Sequence, residues 1–80
     1  MQPEALMLYK LIILYILDRV DFSMTNQQLT DFITGRDYTN YFNVQQVLSD
    51  LTDDGFISVQ ETKNSFLYRI TPAGAETLSF

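Results

Sequence analysis

The hydrophobic pattern of this 80-residue chain changes its period at Gly55, and this change limits the folds open to the chain. Before Gly55, apolar residues recur every three or four positions, as they do in amphipathic helices. After Gly55, apolar and polar residues alternate in two short runs, 56–61 and 66–70, which is typical of β-strands. The pattern therefore predicts an α+β domain with its helices first and a hairpin after them.

Two helices are predicted before residue 36. The first begins at about residue 3 or 4, where Pro3 suits an early helical position, and ends near residue 19. The second follows residues 25–28, a capping-box pattern in which the Thr hydroxyl accepts from the amide of the Gln while the Gln side chain reaches back. Gly35 is expected to end this second helix.

A third helix is expected to begin at a cap on Asn43 and to end at Gly55. Gln46 lies three residues after Asn43, and Phe42 before the cap can pack on Val47 as a hydrophobic staple. The face turned toward the core is predicted to contain Val44, Val47, Leu48 and Leu51.

A hairpin and a short helix complete the chain. Residues 62–65 are predicted to form the turn of the hairpin, and Thr71 followed by Pro72 predicts the start of the last helix. Three helices followed directly by a hairpin predict a winged helix-turn-helix, with a three-helix core, a two-stranded β-wing and a short C-terminal helix. The shortness of the last helix predicts either a longer native chain or fraying after Leu78.

Residue types on which most enzymes and metal sites depend are missing. The chain has no cysteine and no histidine, so it lacks the commonest general base and the commonest transition-metal ligand. Its three glycines are isolated, so no phosphate-binding loop is present. We expect a protein that is not an enzyme and that holds no metal and no cofactor.

The apolar first helix does not predict a membrane span. Residues 5–17 contain one charged residue, Lys10, and a span needs about 20 apolar residues. No small-residue cleavage site follows, as a signal peptide would require. We expect one cytoplasmic domain over residues 1–80.

Two motifs resemble those of bacterial winged-helix regulators. The segments VLSDL at 47–51 and GFI at 55–57 resemble the L-x-x-L-x-x-x-G-L-I pattern that closes the recognition helix of these proteins. The segment YRITPAG at 68–74 resembles the Y-x-I-T-x-x-G pattern at the end of their wing. Both motifs are typical of PadR-like and MarR-like repressors, and the whole chain is similar to an uncharacterised winged-helix family common in Firmicutes.

The resemblance implies that the start of the third helix enters the major groove of DNA. Asn and Gln can bind adenine through two hydrogen bonds, and Thr, Tyr and Ser can hold phosphates. The same residue types also cap helices or are merely solvated. The candidate DNA-binding residues are Arg36, Thr39, Asn40, Tyr41, Asn43, Gln45, Gln46, Ser49 and Lys63.

The charge of the chain leaves two functions open. The net charge is −5, whereas nucleic-acid binders usually carry an excess of basic residues. Residues 40–54 contain no Lys or Arg, and Asp50 and Asp53 on the exposed face would repel phosphates. The family pattern favours a dimeric DNA-binding transcriptional regulator, with weak, salt-sensitive binding by the isolated domain. The missing basic charge favours a winged-helix module for protein–protein interaction or dimerisation that does not bind DNA.

The first helix has two apolar faces where a surface helix needs only one. At about 100° per residue, the face expected against the core contains Tyr9, Ile12, Ile13, Ile16 and Val20. The second face contains Met7, Leu11 and Leu14. This second face either contacts the last helix, lies in water or packs on a partner helix, since apolar patches often mark interfaces. We predict that it forms the main contact of a homodimer.

Overall fold

The structure is a computed structural model that describes residues 3–35 and 39–79. Its elements follow one another in the predicted order, with an additional short strand before the second helix. They are α1 (Pro3–Arg19), β1 (Met24–Thr25), α2 (Asn26–Thr34), α3 (Tyr41–Asp53), β2 (Ile57–Glu61), β3 (Phe66–Ile70) and α4 (Pro72–Thr77). The predicted α+β winged helix is confirmed. The wing is wider than predicted because β1 pairs with β3 to give an antiparallel sheet in the order β1-β3-β2.

Two of the predicted helix starts are confirmed by their caps. The Thr25 hydroxyl accepts from the amide of Gln28 at 3.0 Å, and the Gln28 side chain accepts in return from the amide of Thr25 at 2.9 Å. The Thr71 hydroxyl accepts from the amide of Gly74 at 3.1 Å, with Pro72 in the first turn of α4. These caps are local, so a few consecutive residues determine them.

The predicted start of α3 is wrong by one turn. The cap is Asn40, whose backbone is extended and whose side chain accepts from the amide of Asn43 at 3.0 Å. Asn43 therefore lies inside the helix, and Phe42 lies in its first turn with 80% of its surface exposed instead of forming a staple with Val47. Both asparagines can cap a helix, and the earlier cap adds backbone hydrogen bonds without burying a polar group.

The core joins α1 to the two helices that follow it and to the sheet. Its fully buried residues include Ile13, Leu14, Leu17, Leu29, Ile33, Val44, Val47, Leu48, Leu51 and Ile57. The prediction that Leu14 lies on an exposed face is wrong, because its side chain is only 1% exposed. The helix α1 packs against α3, β3 and α4, so the arc that it buries is wider than one stripe. The exposed arc consists instead of Met7, Leu8, Leu11 and Tyr15.

Gly55 and Gly74, the glycines of the two PadR-like motifs, stand where the backbone needs a residue without a side chain. Gly55 has a φ of 80°, which lets the chain leave α3 through a left-handed turn, and the amide of Phe56 then donates to the carbonyl of Leu51 at 3.0 Å. A Cβ on Gly74 would overlap the carbonyl oxygen of Phe56, which accepts from the amide of Thr71. These glycines therefore seat the wing and α4 against the end of α3.

Within residues 3–35 and 39–79, no helix is long and apolar enough to cross a membrane.

Candidate nucleic-acid interface

One face of α3 is exposed along the whole length of the helix. It consists of Phe42, Gln46, Ser49 and Asp53, spaced by four, three and four residues, and we call these residues the α3 stripe. The opposite face supplies core residues, which hold the helix firmly in place. A helix fixed in this way presents the side chains of its stripe to a partner without having to move.

The polar residues at the start of α3 are already used within the chain. Asn40 caps the helix, and the Asn43 side-chain amide donates to the Thr39 hydroxyl at 2.8 Å. Tyr41 is different, since 56% of its surface is exposed and its ring meets the Phe42 ring edge to face at a centroid distance of 5.7 Å. The structure therefore assigns the capping role to Asn40, pairs the side chains of Thr39 and Asn43, and leaves an exposed aromatic pair beside them.

Gln45 does not lie on the exposed face, so its predicted placement is wrong. Its side-chain nitrogen donates to the Asn26 oxygen and to the Thr30 hydroxyl, both at 3.0 Å. The Asn26 nitrogen donates back to the Gln45 oxygen at 2.7 Å. The packing of α2 on α3 brings these side chains together. Gln45 is 15 positions from Thr30 and 19 positions from Asn26 in the sequence.

The same hydrogen bonds reach the sheet. The Asn26 nitrogen also lies 3.4 Å from the hydroxyl oxygen of Tyr68, a residue of β3 that is 8% exposed. We call Asn26, Thr30, Gln45 and Tyr68 the amide bridge. Among the described residues, no buried side-chain nitrogen or oxygen lacks a hydrogen-bond partner. A satisfied polar network of this kind specifies one arrangement, so the amide bridge fixes α3 relative to both α2 and the wing.

The negative charge of α3 is less evenly spread than the sequence suggests. Asp50 is half-buried, lies 3.6 Å from the Lys10 ammonium and accepts from the Gln46 side chain at 2.9 Å. Asp53 and the following Asp54 are exposed at the C-terminal end of the helix. The expected repulsion of phosphates is therefore concentrated at that end, away from Phe42 and the start of the helix.

A groove of about 730 Å³ separates the wing turn from the start of α2 and Tyr41. Lys63 lines it from the turn, and the carboxylates of Asp31 and Glu61 line the same groove. The turn is held by the Thr62 amide, which donates to the Ser65 carbonyl at 2.7 Å, and Lys63 is exposed within this turn. Arg36, the other cation predicted near this surface, lies outside the described residues.

The arrangement of elements is that of winged-helix proteins. The chain is similar to the crystal structure of Bacillus subtilis PadR in complex with operator DNA, with a TM-score of 0.76 and 21% sequence identity. The likeness covers 89% of this chain and 45% of the PadR chain, so the chain spans about half the length of that protein. The winged-helix fold implied by the PadR-like motifs is thus confirmed. The MarR-like and Firmicute parts of the resemblance stay predictions.

The sequence also assigns the chain to a family. It belongs to DUF4364, described as a domain of unknown function, whose sequence model matches residues 9–80. No curated protein matches the chain.

Sequence reasoning misses Phe42 as a surface residue of the candidate interface. The signal was present, since Asn40 and Asn43 are both possible caps and Phe42 lies four residues before Gln46. Choosing the earlier cap puts Phe42 on the same helical face as Gln46. The amide bridge had no comparable signal, because its members lie far apart in the sequence.

Replacing Gln45 by Ala is expected to destabilise the domain, whereas replacing its neighbour Gln46 is not. The first change removes the three hydrogen bonds that join Gln45 to Asn26 and Thr30, and leaves these two residues with the bond between them and the longer contact to Tyr68. We expect the loss to cost about 1–3 kcal/mol. The second removes an exposed side chain and should change the free energy of unfolding by less than about 0.5 kcal/mol. Urea unfolding followed by circular dichroism measures both variants. Equal stability of Gln45→Ala and the wild type would contradict the amide bridge.

Proposed function

We propose that this chain is the DNA-binding domain of a bacterial transcription regulator and that α3 enters the major groove. The observation that carries the proposal is the α3 stripe, which is exposed on a fold shared with a DNA-bound PadR. In helix-turn-helix proteins the second helix of the motif contacts base edges with its N-terminal part. Gln46 and Ser49, in the middle turns of the exposed face, supply hydrogen-bonding groups for such contacts. A role on DNA would place the protein in the cytoplasm.

Contacts to the DNA backbone are assigned to the residues around the groove. Lys63 on the wing turn supplies a cation, and the Tyr41 hydroxyl is a further candidate for a phosphate contact. Arg36, which lies outside the described residues, stays a candidate from the sequence alone. The cap Asn40 and the bonded pair Thr39 and Asn43 act on DNA indirectly, by holding the start of α3. Because so few cations are present, we expect a single domain to bind DNA weakly, and the phosphate contacts that it does make render this binding sensitive to salt.

A homodimer supplies the affinity that one domain lacks. The exposed arc of α1, formed by Met7, Leu8, Leu11 and Tyr15, is apolar and lies opposite the buried face of this helix. The Arg19 guanidinium lies over the Tyr15 ring, 4.9 Å from its centre. The exposed arc is therefore bordered by a polar group at its Tyr15 end. Packing of this arc on the same arc of a second copy buries it in both copies and presents two α3 helices to successive half-sites.

The alternative function is a winged-helix module for protein–protein interaction that does not bind DNA. It is favoured by the net charge of −5 and by the apolar arc of α1, which suits a protein partner as well as a second copy. The two functions differ in whether the surface formed by α3 and the wing binds nucleic acid.

The proposal predicts salt-sensitive DNA binding that depends on Lys63. Fluorescence polarisation with random and promoter duplexes, at about 50 mM and about 200 mM salt, gives the slope of log affinity against log salt. Lys63→Ala should weaken binding to all duplexes alike and reduce this slope by about 1, because one phosphate contact is lost. Arg69→Ala is the matched control, since its side chain bonds to Ser23 instead of lining the groove, and it should leave the slope unchanged. Undetectable binding at low salt would favour the interaction module.

The dimer is tested by charges placed on the arc of α1. Leu8→Glu combined with Leu11→Glu should give folded monomer, because both side chains are exposed and a buried pair of carboxylates would oppose association. Leu14→Glu should instead unfold the domain, because this residue is in the core. Analytical ultracentrifugation measures the molecular mass of each variant in solution, and circular dichroism shows whether the variant is folded. A dimer that survives the double change, or a monomeric wild type at high concentration, would rule out this interface.

A further inference from the structure

Phe42 is a large apolar side chain that the fold leaves almost entirely in water. Its exposed fraction of 80% exceeds that of every other large apolar residue among residues 5–35 and 39–79. Its ring contacts Tyr41 edge to face, and Phe42 belongs neither to the hydrophobic core nor to the partly buried residues packed against the core. Phe42 therefore contributes little to the stability of the domain, although it stands in the first turn of the helix that carries the α3 stripe.

The chemistry of α3 limits which bases the helix can recognise. Guanine is usually bound by Arg or Lys, and residues 40–54 contain neither. Adenine is bound by amide side chains such as that of Gln46, and thymine is the base that offers an apolar group, its C5-methyl, in the major groove. An exposed aromatic ring one turn before an amide therefore matches a thymine close to an adenine.

We propose that Phe42 contacts the C5-methyl group of a thymine and is a specificity-determining residue of this surface. The inference rests on the proposed DNA-binding function and adds the base that is recognised. The edge-to-face contact with Tyr41 restricts the ring, so less conformational entropy is lost when Phe42 binds. The homodimer contact proposed above uses the exposed arc of α1 and does not involve Phe42, so the ring stays exposed in such a dimer.

Removal of one methyl group from the DNA tests the contact. The wild-type chain first selects duplexes from a random library, and each thymine of the selected duplex is then replaced singly by deoxyuridine, which lacks only the C5-methyl. At one thymine of each half-site, the wild type should lose about fourfold in affinity, which corresponds to about 0.8 kcal/mol for one buried carbon group. Phe42→Ala should bind the thymine and uracil duplexes equally well at that position.

Two controls separate this contact from general effects. Phe22→Ala removes an exposed aromatic ring outside α3 and should keep the thymine preference of the wild type. Phe42→Leu keeps an apolar side chain and should retain part of that preference, and thermal unfolding should show both Phe42 variants as stable as the wild type.

The outcomes distinguish the inference from the function on which it rests. One outcome is that the wild type selects a sequence while Phe42→Ala loses as much affinity as the wild type on replacement of each thymine by deoxyuridine. In that case the thymine contact is wrong and the DNA-binding function stands. If the wild type selects no sequence and binds no duplex, both are wrong.

Discussion

The hydrogen bonds between Gln45 of α3 and Asn26 of α2 are the contact on which the candidate interface depends. Apolar packing alone would hold α3 in the core but would allow the helix to slide or rotate slightly, because such packing has no direction. The two amides satisfy each other and Thr30, and through Tyr68 they also connect to the wing. Any other rotation of α3 would break bonds that are partly shielded from water. The outward direction of Phe42 and Gln46 follows from this one arrangement.

An acidic chain can still present a helix suited to DNA if the negative charges of that helix are placed away from its first turns. Three aspartates lie in the second half of α3 and directly after it. Asp50 is paired with Lys10, so the exposed negative charge is that of Asp53 and Asp54 at the C-terminal end of the helix. The start of the helix is then close to neutral, and Lys63 stands across the groove from it. With few cations available, the proposed function requires that recognition depend on direct contacts to base edges and that two copies act together to supply affinity.

The parts of the fold that could be predicted from sequence are those decided within a few residues. The caps at Thr25 and Thr71 and the turn at 62–65 are local, and the alternation of the strands has a fixed period of two residues. Leu14 was misplaced because a helix packed by neighbours on several sides buries an arc wider than its strongest stripe. Gln45 was misplaced because its partner lies 19 positions away, where no sequence pattern connects the two.

The central claim is that the surface formed by α3 and the wing binds DNA, and mapping of the bound surface tests it most directly. Two-dimensional ¹H–¹⁵N NMR spectra of the labelled chain, recorded while a duplex is added, report on each backbone amide separately. The account predicts that the amide signals of Phe42, Gln46, Ser49 and Lys63 shift or broaden, while those of Leu8 and Leu11 on α1 stay in place. Changes confined to α1, or no changes at all, would contradict it.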